Sequence, residues 1–312
     1  MSFQPDPTVP LAEDPATSGL PDPTGPLTAS GNLRRRAAVS RLLEVTATAS
    51  AALAVAIFCI VVYAIASRGL GAISWGFLTS DLNPVNPALG GIAPAIVGTA
   101  VMIAIATAIA MPLGVLIAIY LIEFAGRRSG RVIRMALDLT NGLPTVVVAI
   151  MVYGLLVVNH GDSAIAASIA LAIIMLPLIA RSSHQVLLLV PGTLREAADA
   201  LGVSRWRGVI GVVLPSSLGG IVTATILAAA RAAGETVPLL LLTSLVTAQN
   251  VQLDPAHALY GMPFVIYQDL ESGVPSGITQ AWGTAFVLMA FILAANIGSR
   301  MFLARNRSRL GL

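Results

Sequence analysis

The chain has 312 residues, 56% of them hydrophobic and 11% charged, with a formal net charge of +3. A soluble domain of this length cannot bury so much apolar surface, so composition predicts an all-α polytopic membrane protein. All 18 basic residues are arginine; without lysine there is no Walker A phosphate loop, and arginines that flank apolar runs read as a topology signal, not as nucleic-acid binding.

Residues 1–33 are rich in Pro, Ser, Thr, Asp and Gly without apolar periodicity, which predicts a disordered cytoplasmic tail. The tail lacks the basic start, apolar stretch and cleavage site of a signal peptide, so the first span is expected to act as an uncleaved anchor. From residue 34 to 312 the apolar runs predict one transmembrane domain with six spans, near 42–66, 92–122, 136–158, 164–188, 217–243 and 280–303. Pro112, Pro144 and Pro177 fall in or at the ends of spans, where neighbouring helices re-satisfy freed carbonyls. Cys59 is the single cysteine, so an intrachain disulfide is impossible.

With six spans, arginine clusters at 34–41, 127–134, 181–207 and 300–309 share one face, and Arg68 alone lies on the other. The positive-inside rule then places both termini in the cytoplasm of a cell whose plasma (inner) membrane the chain crosses. The outer loops 67–91, 159–163 and 244–279 carry Trp75, Tyr260 and Tyr267, as expected near an interface, and 258–270 reads as a short surface or re-entrant helix.

The inner loop 192–215 holds "EAADALGVSRWRGVIGVVLP" (196–215). A short Ala-rich helix near 194–201 should stop at Gly202 in a left-handed cap, and a second should begin at Ser204, a favourable N-cap. Two short helices about a glycine make a compact knob. Trp206 between Arg205 and Arg207 also suits a plain interfacial helix, but such a helix needs only amphipathicity and not this spacing. Glu196, Ala197, Ala198, Gly202, Leu214 and Pro215 resemble the coupling motif of ABC importer permeases, with Val212 where that family often has Ile.

The resemblance extends further. "GGIAPAIVGTAVMIAIATAIAMPLGVLIAIYLIEFA" (90–125), "NGLPTVVVAIMVYGLL" (141–156, with Thr145 at the usual Ser), "LAIIMLPLIARSSHQVLLLVP" (171–191), "RAAGETVPLLLLTS" (231–244, with Val237 replacing Ala) and "MPFVIY" (262–267) are similar to phosphate-importer permeases of the A type. The sister C-type permeases share the Arg-Ala-x-Gly-Glu-Thr core but typically lack the Pro-Leu-Leu after it. The likeness spans roughly residues 70–300. It implies a MetI-like permease bundle and a heterodimer with a C-type permease. It also implies two ATPase subunits that hold ATP and Mg, docked on the 196–215 loop, and an external phosphate-binding protein. No cofactor is expected in this chain, and its role is transport, not catalysis.

Arg231 and Glu235 stand inside the predicted fifth span. Taken from Leu218 to Leu242, that span puts Arg231 about 20 Å along a helix, near the bilayer centre. Each central charge costs roughly 2.5–3.5 kcal/mol on insertion scales. At i and i+4 the two would share a face and pair, beside small residues that allow close approach. One reading is a buried ion pair that fixes helix packing. The other is a pathway or gating site of Arg231, Glu235 and Thr236, because guanidinium is suited to bidentate oxyanion recognition and intramembrane charges are functional by default.

His160, His184 and His257 have no metal-site spacing. Glu123 and Asp138 are expected to neutralise neighbouring arginines, and Asn141 and Thr145 suit either a pathway or interhelix packing. A proton-coupled secondary transporter would show internal symmetry, and a second Arg-x-x-x-Glu span is absent. A membrane enzyme would need a nucleophile or metal constellation, and none stands out. Sulfate or molybdate stays open beside phosphate as the substrate.

Overall fold

The structure, a computed structural model, describes residues 33–83, 86–243 and 249–310. The predicted tail 1–33 lies outside the described residues except for Leu33, which opens the first helix. Two compact units are distinguished, Met1–Val61 and Val62–Leu312. Helix α1, Leu33–Gly69, supplies the described part of the first unit. Leu53, Val55, Ile57, Phe58 and Ile60 point around its circumference and are exposed, the pattern of a helix that meets apolar surroundings on all sides.

Among its described residues, the second unit is helical throughout its regular structure. Its elements are α2 (Trp75–Thr79), α3 (Ala93–Ile119), α4 (Arg127–Gly142), α5 (Thr145–Val152), α6 (Val158–His160), α7 (Ala164–Leu188), α8 (Gly192–Ala200), α9 (Arg205–Gly208), α10 (Leu214–Ala232), α11 (Val237–Leu242), α12 (Met262–Glu271) and α13 (Pro275–Leu310). Widened π turns join some of them end to end: Tyr120–Phe124 prolongs α3, Tyr153–Val157 links α5 to α6, and Val209–Val213 links α9 to α10.

Among the described residues, five helical stretches are long and apolar enough to cross a membrane: Arg35–Ala72, Ala93–Phe124, Ala164–Leu188, Arg205–Ala232 and Pro275–Met301. The expected continuous third span, 136–158, is instead broken, with Arg127–Gly142 and Thr145–His160 meeting at 96°. Pro144 cannot donate a helical hydrogen bond and pushes Leu143 out of the helical region, and Gly142 ends α4 just before it. Counting the bent pair as one, the chain is a multi-pass membrane protein of up to six spans.

The predicted fifth span, 217–243, is also not one helix. It stops at Ala232 and resumes at Val237. Pro238 has no N–H to offer the Gly234 carbonyl, and Gly234 is itself a poor helix former, so the backbone turns between them. The same helix begins earlier than expected and runs unbroken from Arg205 to Ala232.

Helix α3 packs along α7, and α10 packs against α7 and α13. Met102, Ala106, Leu171, Met175, Ile179, Ala228 and Leu242 form the centre of the core, each at most 1% exposed. Alanine recurs because helices without a polar glue must approach closely to gain dispersion contacts. Gly98 takes this to the limit: a Cβ there would overlap the carbonyl oxygen of Tyr260, so the segment before α12 lies directly on α3. Thr99 Oγ1 accepts the Met262 N–H at 2.8 Å beside it and holds the start of α12.

Arg68, the single arginine away from the others in the six-span reading, stacks its guanidinium 4.8 Å from the ring centroid of Trp282. A cation–π contact of this kind satisfies the charge without a carboxylate.

Candidate functional site

The knob around Gly202 forms as its sequence dictates. Helix α8 covers Gly192–Ala200, slightly longer at its start than the expected 194–201. Gly202 has φ +70°, a left-handed conformation that disfavours side chains. Its N–H donates to the Asp199 carbonyl at 2.9 Å, and the Val203 N–H donates to the Ala198 carbonyl at 3.1 Å. Those two bonds make a Schellman cap. Ser204 occupies the cap position of α9, but its hydroxyl makes no capping bond; its carbonyl alone accepts, from the Gly208 N–H at 3.0 Å.

Within the motif, Glu196 and Ala197 are exposed and Ala198 is buried. Ala198 faces Gly208, where a methyl in place of the glycine hydrogen would lie 3.8 Å from the Ala198 Cβ, so the small residues let α8 and α9 lie together. Leu214 and Pro215 open α10 just after the π turn. Pro215 supplies no N–H to the Gly211 carbonyl, and the widened turn sits where that bond is missing. Leu201 is 82% exposed at the tip of the knob and Trp206 is 49% exposed. Leu201 escaped the sequence reading; an apolar residue immediately before a capping glycine was the signal available.

The base of the knob is fastened to α3 and α7. Glu123 and Arg195 form an ion pair, with Oε1 and Nε 3.0 Å apart and side chains 13% and 27% exposed. Arg195 Nη2 donates to the Leu187 carbonyl and Arg205 Nη1 to the Glu123 carbonyl, both at 3.0 Å. Phe124 and Trp206 meet with ring centroids 6.2 Å apart. Asp138 of α4 pairs with Arg181 of α7. Both carboxylates therefore meet arginines distant in sequence, not their near neighbours at 127–134.

The second candidate site departs from expectation. Arg231 lies in the last turn of α10, and its carbonyl accepts the Gly234 N–H at 3.1 Å; the Glu235 N–H donates to Ala232 at 3.1 Å. Because the helix ends there, Arg231 and Glu235 do not share a helical face, and no ion pair joins them among the described residues. Arg231 is exposed on this chain, while Glu235 and Thr236 are half-buried. Helix α11, just beyond the break, packs on α5, which itself follows the Leu143–Pro144 bend. Two interrupted helices thus meet at one place. Thr145 begins α5 and is half-buried; Asn141 is exposed near the end of α4.

The remaining candidates stay apart. His160 Nδ1 contacts the Leu156 carbonyl and His257 Nδ1 contacts Asp254 Oδ2, while His184 is half-buried on α7. No group of three metal-ligating side chains occurs among the described residues. A cavity of about 540 Å³ opens between Ser74, Ser80, Leu89, Thr279 and Gln280, and no charged side chain lines it.

Residues 110–308 match the family described as binding-protein-dependent transport system inner membrane component. The chain is 35% identical over 258 residues to the phosphate transport system permease protein PstA 1 of Mycobacterium tuberculosis, covering 80% of this chain and 83% of that one. It is 35% identical over 250 residues to the phosphate transport system permease protein PstA of Yersinia pestis, covering 79% and 84%. Among solved structures, inward-facing MetNI methionine ABC transporter matches with a TM-score of 0.53 at 18% identity, over 69% of this chain and 94% of that one; at this identity the likeness concerns the fold.

Proposed function

The chain belongs to the family of binding-protein-dependent transport system inner membrane components, and on that premise we propose that it is a permease subunit of an ATP-driven importer that moves inorganic phosphate into the cell. The observation that carries the substrate is the 35% identity, over about four-fifths of both chains, to permeases named for phosphate transport. Arg231 supports the same reading. A guanidinium binds phosphate through a planar fork of donors, and a translocated anion needs a cation that attracts without trapping it.

The broken backbone at Ala233–Thr236 adds an independent argument. Irregular backbone at membrane depth is tolerated only inside protein or beside a water-filled cavity. Interrupted helices commonly border the substrate site of transporters. Arg231 and Gly234 are exposed on this chain, so that face calls for a cover. A second permease subunit of the C type, paired to form a heterodimer, fits this requirement, with the pathway between the two. Arg231, Glu235 and Thr236 are then pathway or gating groups.

Two ATPase subunits, carrying ATP and Mg, dock on the knob through Glu196, Ala197, Leu201 and the Gly202 turn. An external phosphate-binding protein delivers the substrate on the opposite side, and both termini lie in the cytoplasm. The decisive experiment is uptake by proteoliposomes holding the full complex, with phosphate, sulfate and molybdate compared. Phosphate-selective, ATP-dependent uptake is expected. Uptake of sulfate or molybdate in preference to phosphate would refute the substrate assignment.

A further inference from the structure

We infer that Glu123 and Arg195 are positioning residues that carry motion of the docking knob into helix α3. This rests on the proposed role of the knob as an ATPase-docking element. The covalent route from the knob leads through the π turn Val209–Val213 into α10. Glu123 opens a second route. It sits in the π turn that prolongs α3, and its carboxylate meets Arg195 of α8 at 3.0 Å. The same turn is held by α9 as well, through the Arg205 bond to the Glu123 carbonyl and the Phe124–Trp206 contact. Arg195 also reaches the Leu187 carbonyl at the end of α7. One arginine of the knob therefore touches both helices of the central α3–α7 pair.

The physical character of the pair fits a positioning role. The two facing atoms, Glu123 Oε1 and Arg195 Nε, are buried, and neither has an aligned hydrogen-bond partner. Each of these two atoms faces the other. Ion pairs removed from water add little net stability, because desolvation offsets the attraction, but they fix one geometry and penalise others. A displacement of α8 relative to α3 would take the cation from Glu123 and leave Arg195 its bond to the Leu187 carbonyl, so α3 is constrained to follow. Widened helical turns such as Tyr120–Phe124 recur at functional positions and can take up a change of helical register.

The test uses the full complex in proteoliposomes. Assembled complex, ATP hydrolysis and phosphate taken up per ATP hydrolysed are measured together. For Glu123→Gln and for Arg195→Gln, assembly and ATP hydrolysis should persist while phosphate moved per ATP falls about fivefold or more, the scale of ordinary coupling between sites. The double substitution should fall no further than the lower single, because both act through one contact. Glu123→Asp keeps the charge but withdraws the carboxylate, and should assemble while lowering the ratio. An unchanged ratio in Glu123→Asp and the single Gln variants would overturn the inference. So would a double-variant loss equal to the product of the two single losses. The unmodified complex separately reports on substrate: if it moves only another oxyanion, the phosphate reading fails, and the pair is judged on that anion's ratio.

Discussion

Arg231 and Glu235 are four residues apart in sequence but lie on opposite sides of a helix end, Arg231 in the last turn of α10 and Glu235 just before α11. They form no ion pair among the described residues. Arg231 therefore does not owe its place to Glu235, and a pair that merely fixes packing within this chain loses its geometric basis.

Arg231→Gln should reduce phosphate uptake about tenfold or more, given roughly 1.5–3 kcal/mol for a hydrogen bond to a charged group, while the complex still assembles. Glutamine keeps donors but removes the charge. Arg231→Gln with Glu235→Gln should remain equally inactive, since the anion still lacks its cation. Near-normal labelled-phosphate uptake by the double variant, at normal complex yield, would defeat the pathway role.

Gly202→Val tests the knob. A β-branched residue at φ +70° is strained by roughly 1–3 kcal/mol, enough to distort the Schellman turn that presents Leu201. Membrane insertion should be normal, whereas ATPase subunits should no longer co-purify and uptake should be lost. Wild-type co-purification with wild-type uptake would count against docking at this turn.

Topology is open to cysteine labelling in a Cys59→Ala background. Leu253→Cys, at a position 70% exposed in the segment before α12, should react with an impermeant maleimide in intact cells. Ser204→Cys, whose parent hydroxyl makes no capping bond, should react only after permeabilisation. Labelling of position 204 from outside would reverse the orientation given by the arginines.

Asp269 on α12 supplies a pH prediction. Burial pushes its carboxyl up to about 7, and its Oδ2 has no hydrogen-bond partner. The helices packed on α12 offer it no cation: α3 and α11 carry no charged residue, and α13 has none before Arg300. Tyr267 and Glu271 lie near it on α12 itself. With the folded value above the unfolded one, the folded protein binds the extra proton, and that stabilisation is complete below about pH 4 and lost as pH rises through about 7. Asp269→Asn cannot ionise, so its melting temperature relative to the parent should climb between pH 4 and 7 and then level off. A difference independent of pH would contradict the assignment.

The membrane class, the apolar helices and the knob were legible because each rests on local signals: apolar run length, a capping glycine and a fixed motif spacing. The two breaks were not, because prolines inside apolar runs look alike in sequence. Pro112 and Pro177 sit inside α3 and α7, preceded by Ala, Ile, Leu and Met without glycine in the previous turn. Pro144 and Pro238 follow Gly142 and Gly234, and there the helix stops. Gly211 likewise stands four residues before Pro215, yet there the helix only widens into the Val209–Val213 turn and continues, so a glycine before proline does not by itself mark a break. The Glu123–Arg195 pair was not legible either, since 72 residues separate its members and only packing of α3 against α7 brings them together.

The unbroken helix from Arg205 to Ala232 has a mechanical meaning. Its 28 residues make a rod of about 42 Å, with the docking knob at one end and Arg231 at the other. Rotating such a rod by roughly 5° about its knob end would sweep the far end through about 4 Å, close to the width of one oxyanion. Ala228 and Ala232 near that far end are buried and α10 packs against α7 and α13, so, on the proposed roles of the knob and Arg231, a small tilt at the knob must carry the neighbouring helices with it.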